Sequence, residues 1–198
     1  MADPDQTARA EIRCSGSGGQ GILLAAAIIA EAAAALGRHV VQTQSYGPEA
    51  RGGASKAEVI VAAEDIDYPE VQRPDVSLVL SQAAYDKYAA ETKPGGLLIF
   101  DSGLVEPDPE DQSVVRCGLP FTQAATDELG KKVVTNIIAV GALARISGVL
   151  PVDAVREAVV SRVPPRFKEL NEQAYDLGLR LGEEAVAMLA TSSASRTS

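Results

Sequence analysis

Over its first 120 residues the chain alternates short apolar runs with longer helix-spaced ones, and its last third carries helical spacing throughout. Glu11 to Ser15 reads as a first strand and Gly19 to Leu36 as a first helix, which Gly37 ends where a left-handed cap is wanted. That helix is apolar nearly all round, so it must be covered on both sides, by a sheet and by another helix or a partner subunit. His39 to Thr43 is a second strand and Ser55 to Ala62 a third. Only Gln44 to Gly53 joins them, a loop too short and too rich in Gly and Pro for a parallel crossover, which predicts an antiparallel third strand in a mixed sheet. The first two strands are expected to run parallel, so the loops that follow them are expected to be neighbours on one sheet edge, the edge where open α/β sheets bind ligands.

Asp65 to Pro74 reads as a polar connection, Val76 to Leu80 as a strand and Gln82 to Ala90 as a helix. Gly96 to Asp101 follows as a strand, Glu106 to Gln112 as an acidic loop, and Val114 to Cys117 as a short strand leading to Pro120. Helices are predicted over Thr122–Leu129, Val134–Ser147, Val152–Arg162 and Phe167–Leu189. The expected fold is an α/β, three-layer α/β/α Rossmann-like domain with a mixed, mainly parallel sheet and extra C-terminal helices. A single domain over residues 11–190 is expected, with 1–10 and 191–198 as flexible polar termini.

Composition narrows the function classes. The chain has 198 residues, with 18 Lys and Arg against 27 Asp and Glu, a formal net charge of −9, and no run of basic residues. Nucleic acid and anionic membranes are therefore not expected partners, and an anionic ligand would need positive charge concentrated locally. The two cysteines, Cys14 and Cys117, and the one histidine, His39, match no familiar metal spacing, so zinc and iron–sulfur clusters are not expected on this chain. The apolar run Ile22–Ala30 is far short of the roughly 20 residues of a membrane span. With no secretory leader at the start, a cytoplasmic protein is expected.

Two loops carry candidate chemistry. Cys14-Ser-Gly-Ser-Gly-Gly-Gln-Gly21 lies between a strand and a helix, so glycines expose backbone N–H groups at the positive end of a helix dipole, a place for phosphate. Gly16, Gly18 and Gly21 fit the dinucleotide spacing, but Arg38 to Thr43 supplies no carboxylate at the end of the second strand, which argues against NAD. The alternative is a tight turn in which glycine only permits close packing. In the second loop, Tyr46 to Gly53, Glu49 and Arg51 stand among residues that keep the backbone accessible, and Arg suits a two-point contact with phosphate or carboxylate. A plain hairpin loop is the alternative there. Cys14 reads as a small buried hydrophobe rather than an activated thiolate, His39 as a surface or strand-capping residue without an evident Ser, Cys or Asp partner, and Asp101 as either ligand-facing or a cap beside Ser102. No nucleophile, base and orienter emerge together, so no catalytic residue is expected.

The combination of Gly16-Ser-Gly-Gly-Gln-Gly-Ile22 with Ser45-Tyr-Gly-Pro-Glu-Ala-Arg-Gly-Gly53 resembles the gamma subunit, or gamma domain, of the 2-oxoacid:ferredoxin oxidoreductases, which act on pyruvate, 2-oxoglutarate, branched-chain 2-oxoacids or indolepyruvate. The likeness runs from about Ile12 to Ala187 and includes Lys132-Val-Val-Thr-Asn136 and the helix containing Asn171. It implies a non-autonomous subunit of a complex that oxidatively decarboxylates a 2-oxoacid to an acyl-CoA and passes electrons to ferredoxin. It further implies that thiamine diphosphate, Mg and iron–sulfur clusters lie on the alpha, beta and possibly delta partners, while this chain serves assembly and coenzyme A. The residues that the resemblance carries over are Gly16, Gly18, Gly19, Gln20 and Gly21, with Tyr46, Gly47, Pro48, Glu49, Arg51, Gly52 and Gly53. A purely structural docking subunit and a stand-alone nucleotide-binding protein are the alternatives.

Overall fold

The computed structural model describes residues 8–44 and 53–195. In chain order these form β1 (Arg9–Ser17), α1 (Ile22–Ala35), β2 (His39–Gln44), β3 (Ala54–Ala62), β4 (Val76–Val79), α2 (Gln82–Tyr88), β5 (Leu97–Asp101), β6 (Val115–Leu119), α3 (Phe121–Asp127), α4 (Thr135–Ser147), α5 (Val152–Arg162) and α6 (Lys168–Ser195).

The six strands lie in one sheet in the order β2-β3-β1-β4-β5-β6. β3 runs antiparallel to both its neighbours, and the pairs β1–β4, β4–β5 and β5–β6 are parallel. β1 and β2 therefore point the same way although β3 lies between them, as expected. Their carboxyl ends share one edge of the sheet, and the register puts Ser17 opposite Ala54 there. Successive side chains of a strand face opposite sides, and both sides are covered. Ile12 and Cys14 of β1 pack with α1, α3, α4, α5 and α6 in one core, whereas Val79, Leu98 and Phe100 pack with α2 in a smaller one. This is the expected three-layer arrangement, with unequal outer layers.

The thick layer covers the apolar α1. Its residues Ala25, Ala26, Ile28, Ile29, Ala32 and Ala33 are buried between the sheet and α4 and α5 of the same chain, with no partner subunit required for that. Helices α4 and α6 cross closely because the contact is made of glycine: a Cβ on Gly141 would lie 2.5 Å from the Tyr175 carbonyl oxygen, and one on Gly178 would strike that of Ile138.

The opposite face of β1 carries a charge into the interior. Arg13 is 1% exposed, donates to Glu58 of β3 at 2.7 Å and to Glu91 after α2, and lies over the Tyr88 ring at 5.7 Å. Lys56 meets the same Glu58 oxygen at 3.0 Å. Two cations and two carboxylates from three segments thus cancel one another in a place where an unpaired charge would cost several kcal/mol.

Three boundaries depart from the expected ones for physical reasons. The helix expected from Gly19 begins at Ile22, because Gly19 and Gly21 take φ of 87° and 73°, which a right-handed helix cannot accommodate. β1 is longer at both ends than Glu11–Ser15, because β3 offers a partner to every residue from Arg9 to Ser17. The last helix, expected to end at Leu189, continues to Ser195, Ala and Ser being compatible with a helix already propagating. Gly37 is the left-handed residue after α1, at φ 74°. None of the helices among the described residues is long and apolar enough to cross a membrane.

Candidate functional site

The carboxyl edge of the sheet gathers the glycine loop, and its geometry follows from Gln20. The Gln20 side chain folds back under the loop, accepting from the Ser17 N–H at 2.6 Å and donating to the Leu80 carbonyl at 2.6 Å. It thereby bridges the ends of β1 and β4, the point where the connections of an open sheet diverge to opposite faces and where a dinucleotide would enter. A Cβ on Gly16 would lie 2.7 Å from the Gln20 amide oxygen and 3.3 Å from Leu80 Cβ, so glycine is required for Gln20 to sit there. The side chain that fills this crevice is a structural reason, beside the missing acid on β2, why the glycine spacing does not make a dinucleotide site.

The loop opens instead toward α4. Gly21 is the N-cap of α1, with no side chain to satisfy the first N–H groups of the helix. Asn136, 4% exposed in the first turn of α4, donates from Nδ2 to the Gly21 carbonyl at 3.3 Å, and a Cβ on Gly21 would lie 2.5 Å from that nitrogen. The N-termini of α1 and α4 are thereby held together. Beside them is a cleft of about 520 Å³, walled by the glycine loop, the segment from Lys131 to Asn136, and the α5–α6 connection with Val163, Pro164 and Phe167. A second cavity of about 200 Å³ reaches Gly19 from the other side, lined by Gly19, Gln20, Thr122, Lys132, Val133 and Thr135.

Charge is where the net composition gives no hint of it. Neither cavity has an acidic residue in its lining, and Lys131 and Lys132 form no ion pair among the described residues. Most arginines among the described residues, by contrast, are paired with a carboxylate, as in Arg145–Glu183, Arg156–Asp176, Arg162–Glu31 and Arg180–Glu128. Two unpaired cations, exposed N–H groups and apolar walls are a setting for an elongated ligand that carries both phosphates and uncharged parts.

The other candidates resolve as structural. Cys14 is fully buried and burial pushes its thiol up to about 12, while Cys117 is pushed up to about 11, so both are packing residues at neutral pH. His39 does have an acidic partner: its Nδ1 lies 3.0 Å from Asp65 Oδ1 in an exposed pair, which sequence separation concealed. Asp101 takes the capping role. It is buried and accepts from the Thr122 N–H at 3.0 Å, the Thr122 hydroxyl at 2.6 Å and the Gly103 N–H at 3.1 Å, capping α3 and a turn. Of the second loop, Gly53 is half-buried at the start of β3, one residue from the Ser17–Ala54 pair, whereas Tyr46, Gly47, Pro48, Glu49, Arg51 and Gly52 lie outside the described residues. Among the described residues no group of three or more His, Cys, Asp or Glu could hold a metal ion.

Residues 11–181 match the Pyruvate ferredoxin/flavodoxin oxidoreductase family. This chain belongs to that family. It is 44% identical over 178 residues to the 2-oxoglutarate synthase subunit KorC of Methanocaldococcus jannaschii, covering 89% of this chain and 95% of that one. The gamma subunit of a keto/oxoacid ferredoxin oxidoreductase from Geobacter sulfurreducens PCA superposes with a TM-score of 0.82 at 43% identity, covering 89% of this chain and 98% of that one. The 2-oxoglutarate:ferredoxin oxidoreductase of Magnetococcus marinus, solved with 2-oxoglutarate, coenzyme A and succinyl-CoA bound, gives a TM-score of 0.81 at 25% identity. There this chain is 89% covered and corresponds to 31% of the longer chain. The family member described here is thus a gamma-type subunit of a 2-oxoacid:ferredoxin oxidoreductase, a multi-subunit oxidoreductase.

Proposed function

We propose that this chain is the gamma subunit of an oxidoreductase acting on 2-oxoglutarate, and that within the complex it holds part of coenzyme A. The observation that carries the coenzyme reading is the acid-free, lysine-flanked cleft that begins at the glycine loop. Coenzyme A combines a pyrophosphate and a 3′-phosphate with a long uncharged arm, and the cleft matches that alternation with N–H groups and Lys131 at its mouth and Leu24, Val134 and Leu170 along its walls. Gly19 and Gly21 line that cleft and Gln20 the smaller cavity beside it, Gly16 and Gly18 belong to the same loop, and the family resemblance adds Tyr46, Gly47, Pro48, Glu49, Arg51, Gly52 and Gly53 to the coenzyme A reading. The choice of 2-oxoglutarate rests on the activity named for the M. jannaschii relative and for the Magnetococcus enzyme.

In this reading the thiamine diphosphate, Mg and iron–sulfur clusters are carried by alpha, beta and possibly delta subunits, which supply the oxidative decarboxylation and the electron path to ferredoxin. This chain brings the acceptor thiol to them. A purely docking role is the second reading, favoured by the apolar rim of the same cleft: Val133 is 80% and Phe167 42% exposed, as residues are that a protein partner covers.

The test is the complete complex assayed for coenzyme A-dependent reduction of ferredoxin by 2-oxoglutarate. Leu24→Trp, which narrows the cleft, is expected to raise the KM for coenzyme A about tenfold, equivalent to about 1.4 kcal/mol, with the KM for 2-oxoglutarate within about twofold of wild type. A normal KM for coenzyme A in a complex that assembles poorly would favour the docking role and overturn the coenzyme reading.

A further inference from the structure

We propose that Lys132 is a specificity residue that reads the 3′-phosphate of coenzyme A in the smaller cavity beside the glycine loop. This inference rests on the coenzyme A reading above and adds to it a residue and the part of the ligand it contacts.

The two cavities meet at Gly19 but differ in chemistry. The larger has mostly apolar walls, whereas the smaller is lined by Gln20, Thr122, Lys132 and Thr135, with Val133 the only large apolar residue. An account of its hydrogen-bond donors singles out Lys132. The Thr122 hydroxyl donates to Asp101 Oδ2 at 2.6 Å and the Thr135 hydroxyl to the Lys132 carbonyl at 2.8 Å, so both hydroxyl hydrogens are engaged. One Gln20 amide hydrogen is engaged by the Leu80 carbonyl. What is left to a ligand is the second Gln20 amide hydrogen, backbone N–H and the three hydrogens of the Lys132 ammonium. Lys132 is also the one charged residue in that lining, so preference for an anion there comes from it.

Topology of the ligand decides which phosphate goes where. The pyrophosphate of coenzyme A is continued at both ends, so it belongs at the junction of the two cavities, over Gly19 to Gly21 and beside Lys131. The 3′-phosphate is a monoester that branches from the ribose and ends, which suits a side pocket with a single cation. It carries about −1.5 to −2 charges at neutral pH, so it gains most from an ammonium. Placing it there also explains how a chain of net charge −9 attracts a polyanion: the two lysines lie where no lining carboxylate cancels them.

The test compares coenzyme A with 3′-dephospho-coenzyme A as substrates of the complete complex carrying wild-type chain, Lys132→Ala, Lys132→Arg or Leu24→Trp. The wild type is expected to have a lower KM for coenzyme A than for the dephospho form. Lys132→Ala should raise the KM for coenzyme A about tenfold, the scale of a charge-assisted hydrogen bond, and leave that for the dephospho form unchanged. Lys132→Arg should keep the discrimination. Equal increases for both substrates, or none, would overturn the assignment of Lys132. If Leu24→Trp still raises both values, the coenzyme A reading stands and only the Lys132 inference fails; if Leu24→Trp has no effect on either, the coenzyme reading fails with it.

Discussion

The two edges of the sheet carry cavities of nearly the same size, about 520 Å³ at the carboxyl edge and about 510 Å³ at the amino edge, yet only one is equipped to bind an anion. At the amino edge the cations are already matched: Lys93 lies 2.8 Å from Asp75, and Arg9 2.8 Å from Glu11. A hydrogen bond to the Asp75 carboxylate holds the Lys93 ammonium above its usual range, and an incoming anion would meet Asp75 as well as Lys93. At the carboxyl edge Lys131 and Lys132 meet no lining acid, and the glycine loop leaves N–H groups at the start of a 14-residue helix. Volume does not separate the two places; the state of their donors does.

The largest expected effect comes from cutting the support both edges share. Arg13→Ala would leave Glu58 and Lys56 with an unbalanced second carboxylate beside the middle of β1, and is expected to cost about 3–5 kcal/mol of unfolding free energy, measured by denaturant titration of the isolated chain. A loss below about 1 kcal/mol would mean that β1 does not depend on that network.

A smaller effect contrasts one glycine from each edge. Gly21 and Gly95 both have positive φ, at 73° and 77°, but a Cβ on Gly21 meets Asn136 whereas nothing lies within 4 Å of one on Gly95. Gly95→Ala is expected to cost about 1 kcal/mol for backbone strain alone, with the KM for coenzyme A unchanged. Gly21→Ala adds the clash with Asn136, should cost about 1–3 kcal/mol, and should raise that KM as α1 and α4 separate. Equal effects on KM at both positions would erase the distinction between the edges.

Local signals made much of the fold legible. The boundaries of α5, Val152–Arg162, follow from helical spacing and Pro151, and the antiparallel β3 follows from the shortness of the Gln44–Gly53 loop. The start of α1 is not legible in the sequence, because the left-handed φ angles of Gly19 and Gly21 that delay it to Ile22 carry no local signal beyond glycine itself. Of the site, the glycine loop is visible as a motif, whereas Lys132 enters only within the Lys132-Val-Val-Thr-Asn136 likeness, with no charge role, and Lys131 not at all. Lys131 and Lys132 stand more than 100 residues from Gly21 and form no basic run; only the Asn136–Gly21 hydrogen bond and the packing of α4 bring them to the loop. Arg13 was similarly hidden, since its partners Glu58 and Glu91 come from separate segments. A short strand with an arginine at its centre does not advertise that the charge is buried.

The most direct measurement is amide hydrogen exchange on the complete complex with and without coenzyme A. Slower exchange is expected at Gly18 to Leu24 and Lys131 to Val134, with no change at Lys93 to Leu97 on the opposite edge. Protection confined to Lys93–Leu97, or none at the glycine loop at saturating coenzyme A, would contradict the placement of the coenzyme at the carboxyl edge.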